Sequence, residues 1–516
     1  MFVRNGFVVS AVAVLSLLGV VAALYATQLG AGAFPDSLVY LRAANNLLED
    51  RGLTYASPGD GMQTPLVYFP PLYSAVLAAI GLFGADLWSA ARWLNAILFG
   101  ANIFLVGFTI NRMARARAAA PVPVSLLMLA SLTMLRVHSA ALTEPMFIFL
   151  AFAGLFTLAK HIENSRPLFL ASAAGLAALA FLTRYVGLAL VIAGIPAILF
   201  LGKSALRVKI RNSVIFGAVS VLPMAAWMLR NLLLTHSATQ RSLAYHAITR
   251  YQLREAVKTF AYWLLPLTVP GALKLTFLVF CFAGIALLLR RGGRPLRERI
   301  ASIPSFANVL VIFIVAYSVF LLVSKCFFDA ATPLDYRLLS PVFVAALTVA
   351  ALLLPRLASA APGVRLIPSA LCLLAIVAVY LFSAADFLDK SHREGQGYAA
   401  RAWRDSPLVA RLKALPGGLL VFSNDPDAID YLTGRPAVWL PNKIDTLTRR
   451  PNDGYEPELA EMGEQLKKRA AVIVYFSAIG HTFVPTQQEL LDRFSLRAVA
   501  QEQDGVIYET AATAGD

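Results

Sequence analysis

Residues 7–29 read FVVSAVAVLSLLGVVAALYATQL, an apolar run without a charged side chain. About 20 such residues suffice for an α-helix to cross the hydrocarbon core of a bilayer. The hydrophobic region of a secretory signal is shorter, roughly 7–15 residues, although Ala31-Gly32-Ala33 resembles a cleavage site. We therefore predict an uncleaved first membrane helix.

The composition of the whole chain also indicates a membrane protein. Of its 516 residues, 58% are hydrophobic and only 15% are charged, whereas soluble domains carry about 25% charged residues. Apolar runs long enough to span recur about eleven times. They lie near residues 7–29, 91–111, 121–138, 142–159, 168–183, 186–202, 212–230, 267–289, 306–324, 338–355 and 365–385. The sequence predicts an α-helical polytopic membrane protein.

The basic residues, which give a formal net charge of +15, lie mainly in short loops between these runs. Lys and Arg in short loops stay on the cytoplasmic side. With a cytoplasmic N-terminus, all the short basic loops fall on one side, which predicts an inner (plasma) membrane protein. The basic residues form no stripe with interleaved aromatic residues, so nucleic-acid binding is not expected.

Two long outer loops interrupt the spans, at residues 30–90 and 231–266. An apolar stretch at 70–84 in the first would invert all later loops if it crossed the membrane, so we predict that it dips into the membrane or packs at its outer surface. In the second, apolar residues at helical spacing predict a helix in the headgroup plane. These residues are Leu253, Val257, Phe260 and Leu264.

The composition changes after residue 385, where Pro, Gly and charged residues return. We predict a membrane domain at 1–385 and a small α/β domain outside the cytoplasm at 386–516. Its predicted strands are 419–423, 471–476 and 506–509, and its predicted helices are 427–433 and 456–469.

Residues 34–40, FPDSLVY, follow the first span directly and place Asp36 at a helix start near the bilayer surface. A plain helix cap explains an aspartate there, because its carboxylate accepts backbone N–H groups. Residues 68–73, YFPPLY, open the next apolar stretch and are typical of a proline-started helix.

The order of these motifs resembles the GT-C superfamily of membrane glycosyltransferases. The branch that it resembles contains dolichyl-phosphate-mannose protein mannosyltransferases and aminoarabinose lipid A transferases. Further matching pieces are TEP at 143–145, LTRY at 182–185, WMLRN at 227–231, DYRLLSP at 335–341 and SNDPDA at 423–428. The resemblance implies a GT-C fold for residues 1–385.

The resemblance also implies a reaction. Such enzymes transfer a sugar from a polyprenyl-phosphate donor to a lipid, glycan or protein acceptor on the extracytoplasmic face, with inversion at the anomeric carbon. The reaction needs a base for the incoming hydroxyl, cations for the leaving phosphate and a groove for the lipid tail. Asp36 occupies the place of the essential acidic residue of GT-C enzymes and is the candidate base.

Three arginines at predicted outer ends of spans are candidates for phosphate binding, because a guanidinium meets two phosphate oxygens at once. They are Arg184, Arg230 and Arg337. Arg337 occupies the place of a carrier-phosphate arginine in GT-C relatives, with Asp335 beside it. Anchoring at the headgroups is the alternative for each arginine, and it is the favoured explanation for Arg184 and Arg230.

Tyr40 and Glu144 complete the candidate substrate-binding residues. Glu144 begins a predicted span, so a favourable interaction with the helix dipole is the alternative explanation.

No cofactor is assigned. Some relatives carry a second acidic residue where this chain has Ser37, and the aminoarabinose branch has Glu-Lys where this chain has Tyr68 and Phe69. Both differences remove ligands for a divalent cation. The sequence therefore assigns no metal ligand, leaves a divalent cation as the less favoured alternative, and disfavours lipid A as the acceptor.

Two other functions stay open. A transporter or flippase for an anionic lipid or solute would also need many spans and buried arginines, but the chain has no repeated halves and its outer loops are asymmetric. An oligosaccharide ligase that uses a polyprenyl-diphosphate donor would keep the fold and change the reaction.

Overall fold

The computed structural model describes residues 2–56, 63–113, 120–264, 276, 303–329, 333–359, 366–446, 448–468 and 471–510. Helices form the first part of the chain, and a mixed sheet with short helices forms the last part. The helices of the first part are α1 (Phe2–Ala26), α2 (Pro35–Leu48), α3 (Leu72–Gly81), α4 (Leu87–Met113), α5 (Pro121–Leu129), α6 (Leu132–His138), α7 (Glu144–Asn164), α8 (Pro167–Thr183), α9 (Leu188–Leu201), α10 (Leu206–Thr235), α11 (Arg250–Leu264), α12 (Ser305–Phe327), α13 (Tyr336–Ser359) and α14 (Leu366–Glu394).

Within the described residues, six helices are long and apolar enough to cross a membrane. Helices α5 and α6 make a seventh span if the pair is counted as one. Every predicted span coincides with a helix or with this pair, except the one at 267–289, which lies outside the described residues apart from residue 276. The chain is therefore a multi-pass membrane protein.

The span predicted at 121–138 differs from a straight helix, because α5 and α6 meet at an angle of 57°. The helix restarts at Ser131, whose hydroxyl accepts the backbone N–H of Met134 at 3.5 Å. A side-chain cap of this kind offers the backbone a new helix start in place of a continuous ladder. The bend brings the end of α6 to the segment that precedes α7.

Helix α3 confirms that residues 70–84 do not form a full span. Its ten residues extend about 15 Å at 1.5 Å per residue, half the thickness of a hydrocarbon core. It packs beside α2 and α4, with Tyr73 and Leu77 fully buried.

The helix predicted in the second outer loop is also present, as α11. Leu253, Val257 and Phe260 are exposed on it, whereas Gln252 and Thr259 are buried. An apolar exposed stripe suits a lipid surface, and the position of α11 in the headgroup plane stays a prediction.

The last part of the chain forms a five-stranded sheet with the order β4-β3-β5-β7-β6. Strands β3, β4 and β5 are parallel, and β7 runs antiparallel to both β5 and β6. The elements are α15 (Arg401–Arg404), α16 (Pro407–Lys413), β3 (Leu420–Ser423), α17 (Pro426–Thr433), β4 (Val438–Trp439), α18 (Tyr455–Lys467), β5 (Ala471–Phe476), α19 (Gln487–Arg493), β6 (Leu496–Glu502) and β7 (Gly505–Thr510). The strands predicted at 419–423, 471–476 and 506–509 are confirmed.

The remaining strands carry too little signal for a sequence-based prediction. Strand β4 has only two residues, and β6 (LRAVAQE) is an edge strand whose side chains are mostly exposed. A small hairpin, β1 (Thr54–Ala56) and β2 (Gln63–Pro65), lies in the first outer loop.

The segment before α2 is held on two sides. Gly32 donates its N–H to the carbonyl of Ser139 at 2.9 Å, and Tyr398 donates its N–H to the carbonyl of Ala33 at 2.9 Å. Gly397 has φ +56°, and a Cβ there would lie only 2.0 Å from the Ala33 carbonyl oxygen. Glycine at 397 thus permits the segments around Ala33 and Gly397 to approach closely, and this contact fixes the start of α2.

Gly397→Ala is therefore expected to lower stability by about 1–3 kcal/mol or more, because a side chain is strained at this φ and has no space. Thermal unfolding of the purified protein in detergent measures the effect. Gly417→Ala is the matched control, since a Cβ at Gly417 meets nothing within 4 Å. Equal melting temperatures for the two variants would contradict the role given to Gly397.

Candidate active site

Four charged side chains from four element ends form one chain of ion pairs. Arg337 donates from Nη2 to Asp36 Oδ2 at 2.7 Å and from Nε to Glu144 Oε1 at 3.1 Å. Arg184 Nη1 lies 2.9 Å from the same Glu144 oxygen. The starts of α2, α7 and α13 and the end of α8 therefore converge at this point.

Asp36 is not the cap of α2. The residue before the helix is Phe34, whose N–H donates to the Ser37 hydroxyl at 3.2 Å, and Asp36 lies in the first turn. Its carboxylate contacts Arg337 and lines a cavity. The side chain retains 35% of its exposure, so it is open to a ligand while the helix dipole favours its negative charge.

Glu144 is the buried centre of the ion-pair chain. It is 1% exposed, and its Oε2 atom has no hydrogen-bond partner among the described residues. The Thr143 hydroxyl accepts a further hydrogen bond from Arg184 at 2.8 Å. The helix dipole at the start of α7 also favours the negative charge of Glu144. The ion pairs with Arg184 and Arg337 are the stronger interaction at this buried position.

Asp335 orients Arg337 through the backbone rather than through the guanidinium. Its Oδ1 accepts the N–H of Arg337 at 3.0 Å and the N–H of Leu338 at 3.3 Å. These bonds satisfy backbone donors in the first turn of α13. Asp335 therefore fixes the helix start from which Arg337 reaches its two carboxylates.

Tyr40 lies one helical turn after Asp36 and is 2% exposed. Its ring makes edge-to-face contacts with Phe69 at 4.8 Å and with Tyr73 at 5.5 Å between ring centroids. Burial and the neighbouring Asp36 raise the pKa of Tyr40 well above its usual range. The phenol therefore stays neutral and packs α2 against the Pro-Pro segment.

A cavity of about 430 Å³ opens beside these residues. Asp36, Tyr40, Arg184, Arg337 and Asp335 all line it. Apolar side chains from α8, α10 and α12 and the intervening segments cover much of its remaining wall. The predicted base and two of the predicted arginines thus face one space.

A second charged group, which the sequence analysis did not identify, lines the same cavity. Arg241 Nη1 lies 3.4 Å from Asp329 Oδ2, and its guanidinium stacks 4.7 Å from the Tyr68 ring centroid. Lys325 is 3% exposed and donates from Nζ to the Asp329 carbonyl oxygen at 2.9 Å. Its Nζ is also 3.7 Å from Asp329 Oδ1.

The two groups differ in how their cations are paired. Arg184 and Arg337 are matched by Asp36 and Glu144, so two cations face two carboxylates. In the second group, two cations share the side chain of Asp329. The Nε donor of Arg241 is buried and has no hydrogen-bond partner within the described part of the chain. A buried guanidinium with an unused donor suits an anionic ligand.

Arg230 is placed differently from the other predicted arginines. It donates to the carbonyls of Leu66 and Leu53 at 3.3 and 3.4 Å and lies over the Trp227 ring at 4.6 Å. It is not among the residues that line the cavity. In this arrangement Arg230 holds the first outer loop, and its phosphate-binding role stays a prediction.

Among the described residues, no group of three or more His, Cys, Asp or Glu side chains is placed to hold a metal ion.

No protein-family model matches the sequence, and no curated protein has significant sequence similarity to it. Solved structures do match it. ArnT from Cupriavidus metallidurans, bound to undecaprenyl phosphate, matches with a TM-score of 0.57 and 15% identity over 99% of both chains. Arabinofuranosyltransferase AftD from Mycobacteria matches with a TM-score of 0.55 and 16% identity over 98% of this chain but only 40% of AftD.

Both neighbours are GT-C glycosyltransferases, and the ArnT match runs through the membrane helices and the terminal sheet alike. At this level of identity the likeness shows architecture alone. The chain therefore has the GT-C fold, as the order of its motifs predicts.

Proposed function

We propose that this protein is a membrane glycosyltransferase that uses a polyprenyl-phosphate-linked sugar as its donor. The observation that carries the proposal is the single cavity lined by Asp36, by Arg337 and by the Arg241–Lys325 pair. A carboxylate and several cations in one membrane-protein cavity supply a base and a phosphate site together. The GT-C fold and the undecaprenyl phosphate bound to ArnT support this choice of donor.

In the proposed reaction, the acceptor hydroxyl gives its proton to the Asp36 carboxylate as its oxygen bonds to the anomeric carbon. The bond from that carbon to the carrier phosphate breaks, and its electron pair leaves with the phosphate. Attack from the face opposite the leaving group inverts the anomeric centre. The ion pair with Arg337 fixes the direction of the Asp36 carboxylate, which is a requirement for general base catalysis.

The leaving phosphate is assigned to the Arg241 and Lys325 end of the cavity, because the buried Nε donor of Arg241 has no hydrogen-bond partner among the described residues. Arg337 and Arg184 are held by Glu144 and are the other two cations of the site. Fixed cations stabilise charge that develops on a leaving group without reorganising during the reaction.

The carrier lipid is assigned to the apolar wall of the cavity. Phe181, Val186, Met228, Phe320 and Phe328 lie on it. An apolar wall beside a cationic pair matches an isoprenoid chain that ends in a phosphate. We place this cavity on the extracytoplasmic side, in agreement with the distribution of basic loops in the sequence.

Purified protein in liposomes, supplied with polyprenyl-phosphate sugars and candidate acceptors, tests the proposal directly. Transfer of a single sugar, detected by mass spectrometry of the acceptor without any ion gradient, supports it. Redistribution of a solute or lipid without a covalent product would instead identify a transporter. Transfer of a whole oligosaccharide from a diphosphate carrier would identify a ligase.

Asp36→Asn is expected to lower kcat by at least about 100-fold, the usual lower bound for loss of a general base. Because the amide keeps the shape of the side chain, binding of the carrier lipid should persist. Asp386→Asn, which removes an exposed carboxylate paired with Lys390, is the matched control. Normal turnover in Asp36→Asn would remove this residue from the mechanism.

Arg241→Ala is expected to raise the KM for the donor by about 10-fold or more, since a hydrogen bond to a charged group contributes about 1.5–3 kcal/mol. Arg241→Lys should recover part of the affinity, because it keeps the charge but not the guanidinium geometry. Binding of the undecaprenyl phosphate carrier to each variant measures the same loss without turnover. An unchanged affinity for the carrier in Arg241→Ala would show that the phosphate lies elsewhere.

A further inference from the structure

Helix α2 presents two different stripes to two parts of the protein. Asp36 and Tyr40 line the cavity. Leu38 packs with Ala428 at the start of α17, and Arg42 faces the same helix. At about 100° per residue, Asp36 and Leu38 are separated by roughly 200° around the helix axis. Helix α2 therefore lies between the cavity and the C-terminal domain.

Arg42 forms the charged contact of this interface. Its guanidinium pairs with Asp430 through Nη2 and lies 3.9 Å from Asp427 through Nη1. The Arg42 and Asp427 side chains are 20% and 11% exposed, so water screens this contact only in part. Burial raises the pKa of Asp427 to about 6, although Arg42 opposes the shift.

A second contact joins the two parts of the protein near the start of α2. The Tyr398 hydroxyl donates to Asp425 Oδ1 at 2.8 Å, and the same oxygen accepts the N–H of Ala428 and so caps α17. The backbone N–H of Tyr398 donates to Ala33, just before α2. Helix α2 is thus tied to α17 both at its start and, through Arg42, about 1.7 turns after Asp36.

We propose that Arg42 is a positioning residue for Asp36, and that the C-terminal domain acts on the proposed reaction by holding α2 through Asp430 and Asp427. This inference rests on the proposed function only for its effect on turnover. The contact itself restrains α2 whatever the substrate. Its consequence is that the C-terminal domain belongs to the catalytic unit, because the base stands on a helix that this domain holds.

Hydrogen exchange of the full-length protein in detergent micelles tests the restraint. Arg42→Ala and Asp430→Asn should increase deuterium uptake in peptides that cover residues 35–48, while peptides from the sheet of the C-terminal domain keep their protection. Arg42→Lys, which retains the charge, should leave α2 close to wild type. Lys443→Ala is the control, since it removes an ion pair with Glu489 inside the C-terminal domain. Unchanged uptake in α2 of Arg42→Ala overturns the proposal.

Turnover of the same variants tests the positioning of the base. With donor and acceptor at saturation, Arg42→Ala should lower kcat at least tenfold and leave the KM for the donor near wild type, because Arg241 and Lys325 do not lie on α2. A rise in uptake with a normal kcat overturns the positioning role. Absence of transfer by the wild-type protein is a failure of the proposed function, and the exchange experiment then decides the restraint on its own.

Discussion

The contact between Arg337 and two carboxylates, Asp36 and Glu144, is the interaction on which the site depends. Glu144 is almost completely buried, and an ionised carboxylate in such a place is costly unless cations accompany it. Arg337 and Arg184 provide that charge from two different helices. The pairing of Glu144 thus brings α7, α8 and α13 to one point, and Arg337 extends the same network to the start of α2.

The separation of the charges in the cavity gives each end a different chemical character. Around Glu144 the positive and negative side chains balance, so the arginines there fix geometry more than they attract an anion. Around Asp329 lie two cations, Arg241 and Lys325, and Arg241 keeps a buried Nε donor that no described residue accepts. A base that is held in a neutral network can accept a proton while the cations at the opposite end of the cavity accept the leaving phosphate.

Periodicity and charge placement predict the membrane helices, the short α3 and the α/β character of the C-terminal domain, because each of these depends on local burial pattern. They do not reveal Arg241 or Lys325. Arg241 stands in a loop with several other basic residues, and Lys325 sits at the end of an apolar span four residues before Asp329. Only the packing of α12 against the outer loops distinguishes these two from ordinary interfacial cations.

Arg230 is a residue that the motif singles out for phosphate binding. Its position in the motif gives no sign that its guanidinium binds backbone carbonyls of the first outer loop. The same limit applies to α2. Its sequence predicts a helix with an aspartate near its start, but only the fold shows that Leu38 and Arg42 turn away from the cavity and contact α17. Because Asp36 and Arg42 lie on the same helix, a contact that restrains Arg42 also restrains the position of Asp36. Helix α2 is therefore one place where the membrane helices and the C-terminal domain meet, with one face on the cavity and the other on α17.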